Sequence, residues 1–533
     1  MRTSVRRRWG CRVLDITSPT PELSKMESFD ILVVGGGING AGIARDAAGR
    51  GLKVLLCERD DLAQGTSSRS GKLVHGGLRY LEYYEFRLVR EALIEREVLL
   101  KAAPHIIWPM RFVLPHVPEQ RPAWLVRLGL FLYDHLGGRK ILPPTRVIDL
   151  PHDPVGKPLK PEFRKAFEYS DCWVDDARLV VLNALDAEQR GAKILTRTEV
   201  VGGRRQGETW EVDLRDRRSG EQRKVQARCI VNAAGPWVEQ ALQGFAGTTS
   251  SRRIRLVKGS HLVTRKFWEG DQAYLLQNDD KRVIFVNPYE GDLALIGTTD
   301  IAVEGKPEDA RIDDREIDYL LGVLRRYFSA PPSRAEIVHA FSGVRPLYDD
   351  NAESPSAVTR DYIFDIDPKA PTASNAPILS VFGGKITTYR KLAEHALDKL
   401  QPAFPKMTKA WTAGTHLPGG DIADAAFDRW LGAFHARHVF LSAELVQHYG
   451  RLYGTRANAL LDGASSLADL GRHFGALLYE REVAFLQQTE WAIDADDILD
   501  RRTKHGLHLT PDQRAAFTAF LGGDAAPRAR LSN

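Results

Sequence analysis

The sequence predicts an α/β chain in three parts, on three observations. A short apolar strand runs straight into Gly35-Gly36-Gly37-Ile38-Asn39-Gly40, then an Ala-rich helix, then a second strand ending at Glu58. Residues 261–298 alternate apolar runs of strand length with turn residues. After Leu417-Pro418-Gly419-Gly420 the apolar spacing becomes helical. Together they predict a discontinuous Rossmann-like domain, an antiparallel β-sheet domain and a C-terminal helical domain. The boundaries are 29–105, 165–245 and 340–400 for the first, 106–164 and 246–339 for the second, and 401–533 for the third, behind a disordered tail at 1–28.

The chain has 533 residues, roughly three or four domain lengths. Its formal charge is +5, from 74 basic and 69 acidic side chains. Residues 1–25 hold five Arg and Lys25 against Asp15 and Glu22, so the body from Met26 onward is nearly neutral. That disfavours a bulk electrostatic nucleic-acid binder. The Arg-rich tail has no apolar segment of signal-peptide length. A disordered tail, or a start assigned ahead of Met26, is favoured over a transit peptide. Cys11, Cys57, Cys172 and Cys229 form no C-x-x-C pair, which fits a reducing compartment and no cysteine metal site. No run is long and apolar enough to span a bilayer.

Each part of the first motif has a task. Gly35 permits the tight turn, Gly37 lets backbone approach a pyrophosphate, and Gly40 lets the helix pack close to the strand. The helix amides face the phosphate charge, and Glu58 accepts hydrogen bonds from a ribose diol. Strand, helix, second strand and acidic end fall in register within about 30 residues, the length of a βαβ unit. An acid at Glu58 disfavours a 2′-phosphate.

Two further strand-to-helix turns point to FAD rather than NAD. One ends in Ala233-Ala234-Gly235-Pro236-Trp237, the other in Gly383-Gly384-Lys385-Ile386-Thr387. The second sets a helix N-terminus and Lys385 where a reduced flavin is electron-rich. The polar stretch Gly65–Tyr80 supplies small residues and donors for a flexible cofactor. The expected cofactor residues are Gly35, Gly37, Ile38, Asn39, Gly40, Glu58, Thr66, Ser67, Ser68, Lys72, Leu73, His75, Gly76, Gly77, Ala234, Gly235, Trp237, Gly384, Lys385 and Thr387.

Farther on, Trp124–Tyr133 is the most apolar stretch, flanked by Arg121, Arg139 and Lys140. It reads as a helix lying in a membrane interface or as a buried core helix. His261–Thr264, Ala273–Gln277, Arg282–Asn287 and Leu293–Gly297 read as strands of a sheet roofing the cofactor. Ile422, Ala426, Phe427, Trp430, Leu431 and Phe434 fall on one helical face. Asp494-Ala495-Asp496 begins like a calcium loop, but Ile498, Leu499 and His505 stand where a ligand, a glycine and a glutamate are needed. No metal site is expected.

These motifs resemble the FAD-dependent glycerol-3-phosphate dehydrogenases of the aerobic bacterial type. The matching stretches are Gly35–Arg50, Thr66–Arg90, Phe167–Arg178, Lys258–His261, Gly343–Leu347, Thr359–Tyr362 and Gly383–Lys391, within a resemblance from residue 29 to about 505. It implies oxidation of sn-glycerol 3-phosphate to dihydroxyacetone phosphate, with electrons passing through FAD to membrane quinone. It also implies a cytoplasmic enzyme peripherally attached to the cytoplasmic membrane, with a homodimer left open. By resemblance Arg79, Tyr80 and Arg360 hold the substrate phosphate and Arg345 sits nearer the alcohol; arginine suits phosphate through its planar fork. His261 is the first choice for the base that takes the hydroxyl proton, and His75 the second. Lys385 polarises flavin or substrate. The alternatives are an amine or amino-acid oxidase of the same fold, which needs one carboxylate-binding Arg, and an RNA-binding flavoprotein, which the near-neutral body disfavours.

Overall fold

The computed structural model describes residues 26–523 except 118, 120, 121, 139, 248, 281 and 350–360. The strands are β1 (Glu27–Val34), β2 (Val54–Cys57), β3 (Leu73–Val74), β4 (Ile107–Pro115), β5 (Arg146–Asp149), β6 (Lys165–Val174), β7 (Lys193–Leu195), β8 (Thr198–Gln206), β9 (Thr209–Asp216) and β10 (Gln222–Asn232). They continue as β11 (Ile254–Arg265), β12 (Ala273–Gln277), β13 (Val283–Tyr289), β14 (Leu293–Gly297), β15 (Ile301–Ala302), β16 (Ile337–Tyr348), β17 (Tyr362–Asp367), β18 (Ile378–Gly383), β19 (His473–Gly475) and β20 (Leu478–Tyr479). The helices are α1 (Ile38–Gly49), α2 (Phe86–Ala102), α3 (Ala123–Leu136), α4 (Asp176–Gln189), α5 (Val238–Ala246), α6 (Asp314–Tyr327), α7 (Tyr389–Leu400), α8 (Phe427–Arg437), α9 (Ala443–Tyr453), α10 (Ala457–Leu460), α11 (Glu480–Thr489) and α12 (Pro511–Gly523).

The first sheet runs β17-β18-β10-β1-β2-β7, with the β8–β9 hairpin added through β9 to β10. Its central strands are parallel: Val34 lies beside Asn232, and Asn232 beside Ser380. A parallel sheet needs both faces covered, and its strands are accordingly apolar throughout. The helices α1, α4 and α7 cover one face in a common core with Ile31, Val33, Leu56 and Val231. α5 and Trp210 cover the other, against Leu32, Ile230 and Phe382. α1 is buried nearly all round, which its Ala and Gly content allows; a Cβ on Gly42 would lie 2.7 Å from the Tyr389 ring.

The second sheet runs β15-β11-β14-β13-β12-β4-β6-β3, with β16 on β11 and β5 on β6. It departs from the sequence reading in three ways. β6 and β3, placed there with the dinucleotide domain, pair with each other, and β6 also pairs with β4 in this sheet. β16, assigned likewise, pairs with β11 from Ile337 to Tyr348. The sheet is also not wholly antiparallel, because β12 meets β4 in parallel. A strand's own residues state that it will pair, and not with which partner.

Other boundaries also move. Glu27 and Ser28, assigned to the tail, begin β1, while residues 1–25 lie outside the described residues. Ile422 and Ala426 precede α8, because Asp424 and Ala425 take left-handed backbone and the helix starts at Phe427. The C-terminal helices share their own core, including Phe434, Tyr449, Leu486, Ile498 and Phe517.

Buried ion pairs join that C-terminal region to the first sheet. Arg502 donates to both oxygens of Asp61 at 2.6 and 2.8 Å, and Arg501 reaches the same carboxylate at 2.6 Å. Lys504 pairs with Asp175. Arg178, fully buried on α4, pairs with Glu490 and donates to the Leu452 carbonyl at 2.9 Å. Arg456 adds a second cation to Glu490 at 2.5 Å. Burial alone would raise the Glu490 carboxyl, but Arg178 and Arg456 outweigh it and hold it down to about 2.

Removing one partner strands a buried charge. Glu490→Gln is therefore expected to lower unfolding free energy at neutral pH by about 3–5 kcal/mol, read by urea denaturation. Because the folded value lies below the unfolded one, this stabilisation is present above about pH 4.5 and fades as pH falls toward 2. The gap between wild type and variant should shrink over that window, and a gap constant with pH would refute the ionic account.

Candidate active site

The carboxyl ends of β1, β10 and β18 open together into a cavity of about 1430 Å³. That exceeds the 300–1,000 Å³ or so of an ordinary small-ligand cleft. It lies where ligands bind in parallel α/β sheets, beyond the strand carboxyl ends.

Close backbone passage builds its deep end. A Cβ on Gly35 would sit 2.6 Å from the Ala233 carbonyl oxygen, and one on Gly40 would sit 1.9 Å from the Gly35 oxygen. Gly35 also has φ +106°, which favours glycine. α1 begins at Ile38 with no side chain capping it from Gly37; the Ile38 N–H donates instead to Ser67 Oγ at 3.0 Å. Asn39 Nδ2 donates to the Gly383 carbonyl at 3.2 Å, tying this turn to the end of β18, while its buried Oδ1 has no hydrogen-bond partner. Glu58 accepts from the Gly36 and Asp60 N–H groups at 2.6 and 2.8 Å. Burial raises its carboxyl, partly offset by those two bonds.

The other walls come from distant segments. Thr66 Oγ1 donates to the Val344 carbonyl at 2.6 Å, fixing the polar stretch against β16. Leu73 and His75 follow, with the His75 N–H and carbonyl both bonded to Thr387 Oγ1. Ala234, Gly235 and Trp237 line the turn after β10, where Trp237 Nε1 donates to Glu308 at 3.0 Å. Gly77, Arg79, Tyr80, Gly384 and Lys385 meet on one wall, with Lys385 Nζ 4.3 Å from the centre of the Tyr80 ring.

His261 and Arg345 also line the cavity, from the paired strands β11 and β16. Arg345 is aimed by Asp300, at 3.0 Å, and by the Thr299 carbonyl, at 2.8 Å. Gly259 leaves it room, since a Cβ there would lie 2.3 Å from the guanidinium. His261 is buried, stacked on Phe341, and neither ring nitrogen has a hydrogen-bond partner. Burial first, then the Arg345 and Lys72 charges, push it down to about 3, so the imidazole is neutral at neutral pH. His75 is pushed down likewise, by burial and then by Lys385 and Arg96.

Not every expected residue lines this cavity. Ser68, Lys72, Gly40 and Gly76 stand behind its surface. Lys72 turns into the protein, where Nζ meets Asp176 at 2.7 Å and the Ser68 carbonyl at 3.1 Å. Gly76 makes room for Leu93 and Tyr133, and its N–H donates to the Tyr133 hydroxyl at 2.7 Å. Arg360 lies outside the described residues. Sequence reasoning missed Asp300, and also Arg69, whose guanidinium donates to the Ser342 carbonyl at 3.1 Å. It missed the buried network in which Ser260 and Thr299 donate to Glu316 at 2.8 and 2.7 Å. An acid near a strand end carries no signal of its own; only the β11–β16 register brings Asp300 to Arg345.

The conserved pattern of the FAD dependent oxidoreductases matches residues 30–368. The chain belongs to that family. The D-erythritol 1-phosphate dehydrogenase of Brucella abortus is 62% identical over 499 residues, 94% of this chain and 99% of that protein. The aerobic glycerol-3-phosphate dehydrogenase of Escherichia coli is 51% identical over 496 residues, 93% of this chain and 98% of that one. The glycerol-3-phosphate dehydrogenase of Bacillus halodurans, solved with FAD, superimposes with TM-score 0.70 at 25% identity over 95% of this chain and 97% of that one. The family cofactor is FAD, and the residues present fit it. The uncapped start of α1 would hold its phosphates, Glu58 after the end of β2 would hold a ribose diol, and the glycines let the strand ends pass closely enough to form the cavity between them.

Gly40→Ala drives a methyl into the Gly35 carbonyl. The purified variant is expected to retain less than about a tenth of the wild-type flavin, measured by absorbance after mild desalting. Gly432→Ala, on α8 with nothing within 4 Å, should keep its full complement. Equal flavin in the two would show that the close passage does not set cofactor binding.

Proposed function

We propose that the chain oxidises the secondary alcohol of a short linear polyol phosphate to a ketone, with electrons leaving FAD for a membrane quinone. The observation that carries this is one cavity lined by Arg79, Tyr80 and Lys385, by Arg345 and His261, and by the glycine turn. Arg79 and Tyr80, with Arg360, bind the phosphate. Arg345, held by Asp300, donates to the alcohol oxygen and stays bonded as it becomes a carbonyl. His261 takes the hydroxyl proton on a free ring nitrogen. Bound FAD supplies the hydride acceptor. An amine or amino-acid oxidase has less support, because the 51–62% identical relatives act on polyol phosphates and span nearly the whole chain.

Two substrates fit. Glycerol 3-phosphate follows from the residue motifs and from the relatives at about 51%. D-erythritol 1-phosphate follows from the 62% relative, and the wider identity makes it the preferred one. Under anaerobic conditions D-erythritol 1-phosphate should bleach the flavin with kcat/KM about tenfold or more above that for glycerol 3-phosphate. The reverse ranking would assign the chain to the three-carbon substrate, and no bleaching by either would remove the polyol-phosphate reading.

The acceptor reading rests on α3. Among the described residues no helix is long and apolar enough to cross a membrane. α3 buries Leu130 and Tyr133 yet exposes Trp124, Leu125, Leu128 and Phe131, the last by 57%. Tyr83, Tyr84 and Phe86 are exposed beside it, and Leu125, Leu128 and Gly129 also reach the cavity. An apolar patch of this kind at a cavity mouth suits a lipid surface from which a quinone can approach. Leu128→Ser with Phe131→Ser should weaken co-sedimentation with anionic liposomes by at least about tenfold, flavin content being unchanged. Undiminished binding would place the membrane contact elsewhere.

A further inference from the structure

In the C-terminal region, among residues that do not line the cavity, three side chains from separate elements converge. They are His448 on α9, Glu482 on α11 and His505 in the turn that follows residues 497–502. His448 Nε2 lies 2.8 Å from Glu482 Oε1 and 3.2 Å from His505 Nε2, and one ligand atom from each residue falls within 4.8 Å of the others. Glu482 is fully buried and His505 nearly so. We infer that these residues form a site for one divalent transition-metal cation of the zinc type.

Hydrogen bonding alone serves this cluster badly. His448 Nε2 carries either one hydrogen or one lone pair, yet it faces both a carboxylate oxygen and a second imidazole nitrogen. At most one hydrogen is shared among three atoms. A divalent cation gives each lone pair its own partner. Tetrahedral ligands about 2.1 Å from zinc stand roughly 3.4 Å apart, close to the spacing here. Two imidazoles and a carboxylate, with no thiolate, are a donor set that zinc accepts.

The surroundings point the same way. Glu482 Oε2 is buried with no hydrogen-bond partner, a group that costs stability unless a cation or donor meets it. Tyr453, itself buried, donates to Glu482 Oε1 at 2.6 Å and fixes the carboxylate, as outer partners of metal ligands do. His448 is the least buried of the three, its side chain 9% exposed. The site has a mechanical meaning too. His505 directly follows Arg501, Arg502 and Lys504, which carry the ion pairs to Asp61 and Asp175. A metal there would clamp that segment to α9 and α11. The ligands are 34 and 23 residues apart in the chain, a spacing that matches no metal motif, which is why the sequence predicts no metal.

The test uses the full-length, FAD-loaded enzyme, stripped with a chelator and dialysed. Zn²⁺ alone is then titrated in competition with a chromophoric chelator. One Zn²⁺ per chain is expected, bound at least about tenfold more weakly by His448→Gln and by His505→Gln. His473→Gln, on a neighbouring exposed histidine, should bind as wild type does. Zn²⁺ should raise the melting temperature of wild type and of His473→Gln, and leave the other two unmoved. Absence of stoichiometric binding, or equal affinity across all variants, overturns the proposal. If the ligand variants lose flavin or helix content, Co²⁺ added to wild type decides. Strong visible bands beyond the flavin absorption, saturating at one equivalent, support the site. The weak spectrum of the aquo ion rejects it.

Discussion

The geometry of the flavin cavity depends on how closely backbones pass at the ends of three parallel strands. The end of β1 crosses the turn after β10 too closely to admit a Cβ at Gly35, and α1 leaves the strand over the Gly35 carbonyl with no room for one at Gly40. The turn after β18 lies against Asn39 in the same way. Side chains at these crossings would spread the strands and tilt α1 away. With them absent, helix amides, strand ends and the Lys385 turn all face one volume. Close packing elsewhere in the first sheet serves to keep that crossing rigid.

The second sheet supplies another part of the lining, and its precision comes from polar groups under the surface. Ser260, Thr299 and Glu316 form a buried, hydrogen-bonded network joined by Lys258 at 2.8 Å. It holds β11 against the segment after β14, and so sets Thr299 and Asp300, which aim Arg345. A charged group is thus oriented by its neighbours before any substrate arrives, which lowers the cost of binding an anion.

The local parts of this arrangement were legible in the sequence. The glycine turn, Glu58 and the two later strand-to-helix turns are each recognisable from short stretches of residue types, although the contacts that seat them, such as Gly35 against Ala233 and Asn39 with Gly383, span the chain. Lys72 shows where such reading ends. It sits among cofactor-lining residues, yet its ammonium turns inward because Asp176, 104 positions away, offers a buried carboxylate. The same limit applies to β6 and β16, whose apolar patterns state that they are strands and leave the choice of sheet to long-range pairing. α3 is the clearest instance. Its sequence fits a core helix as well as a surface one, and only the packing of Leu130 and Tyr133 leaves Phe131 outside.

The ion pairs to residues 490–504 bear on how the chain folds as it is made. Asp61, Asp175 and Arg178 emerge from the ribosome hundreds of residues before Glu490, Arg502 and Lys504, the partners that neutralise them. Until those arrive, Asp61 keeps only Arg197, 3.9 Å away, and Arg178 lacks its carboxylate, a buried charge that costs several kcal/mol. The nascent chain is therefore expected to keep these sites hydrated and the helices around them loosely docked until residues 490–504 emerge.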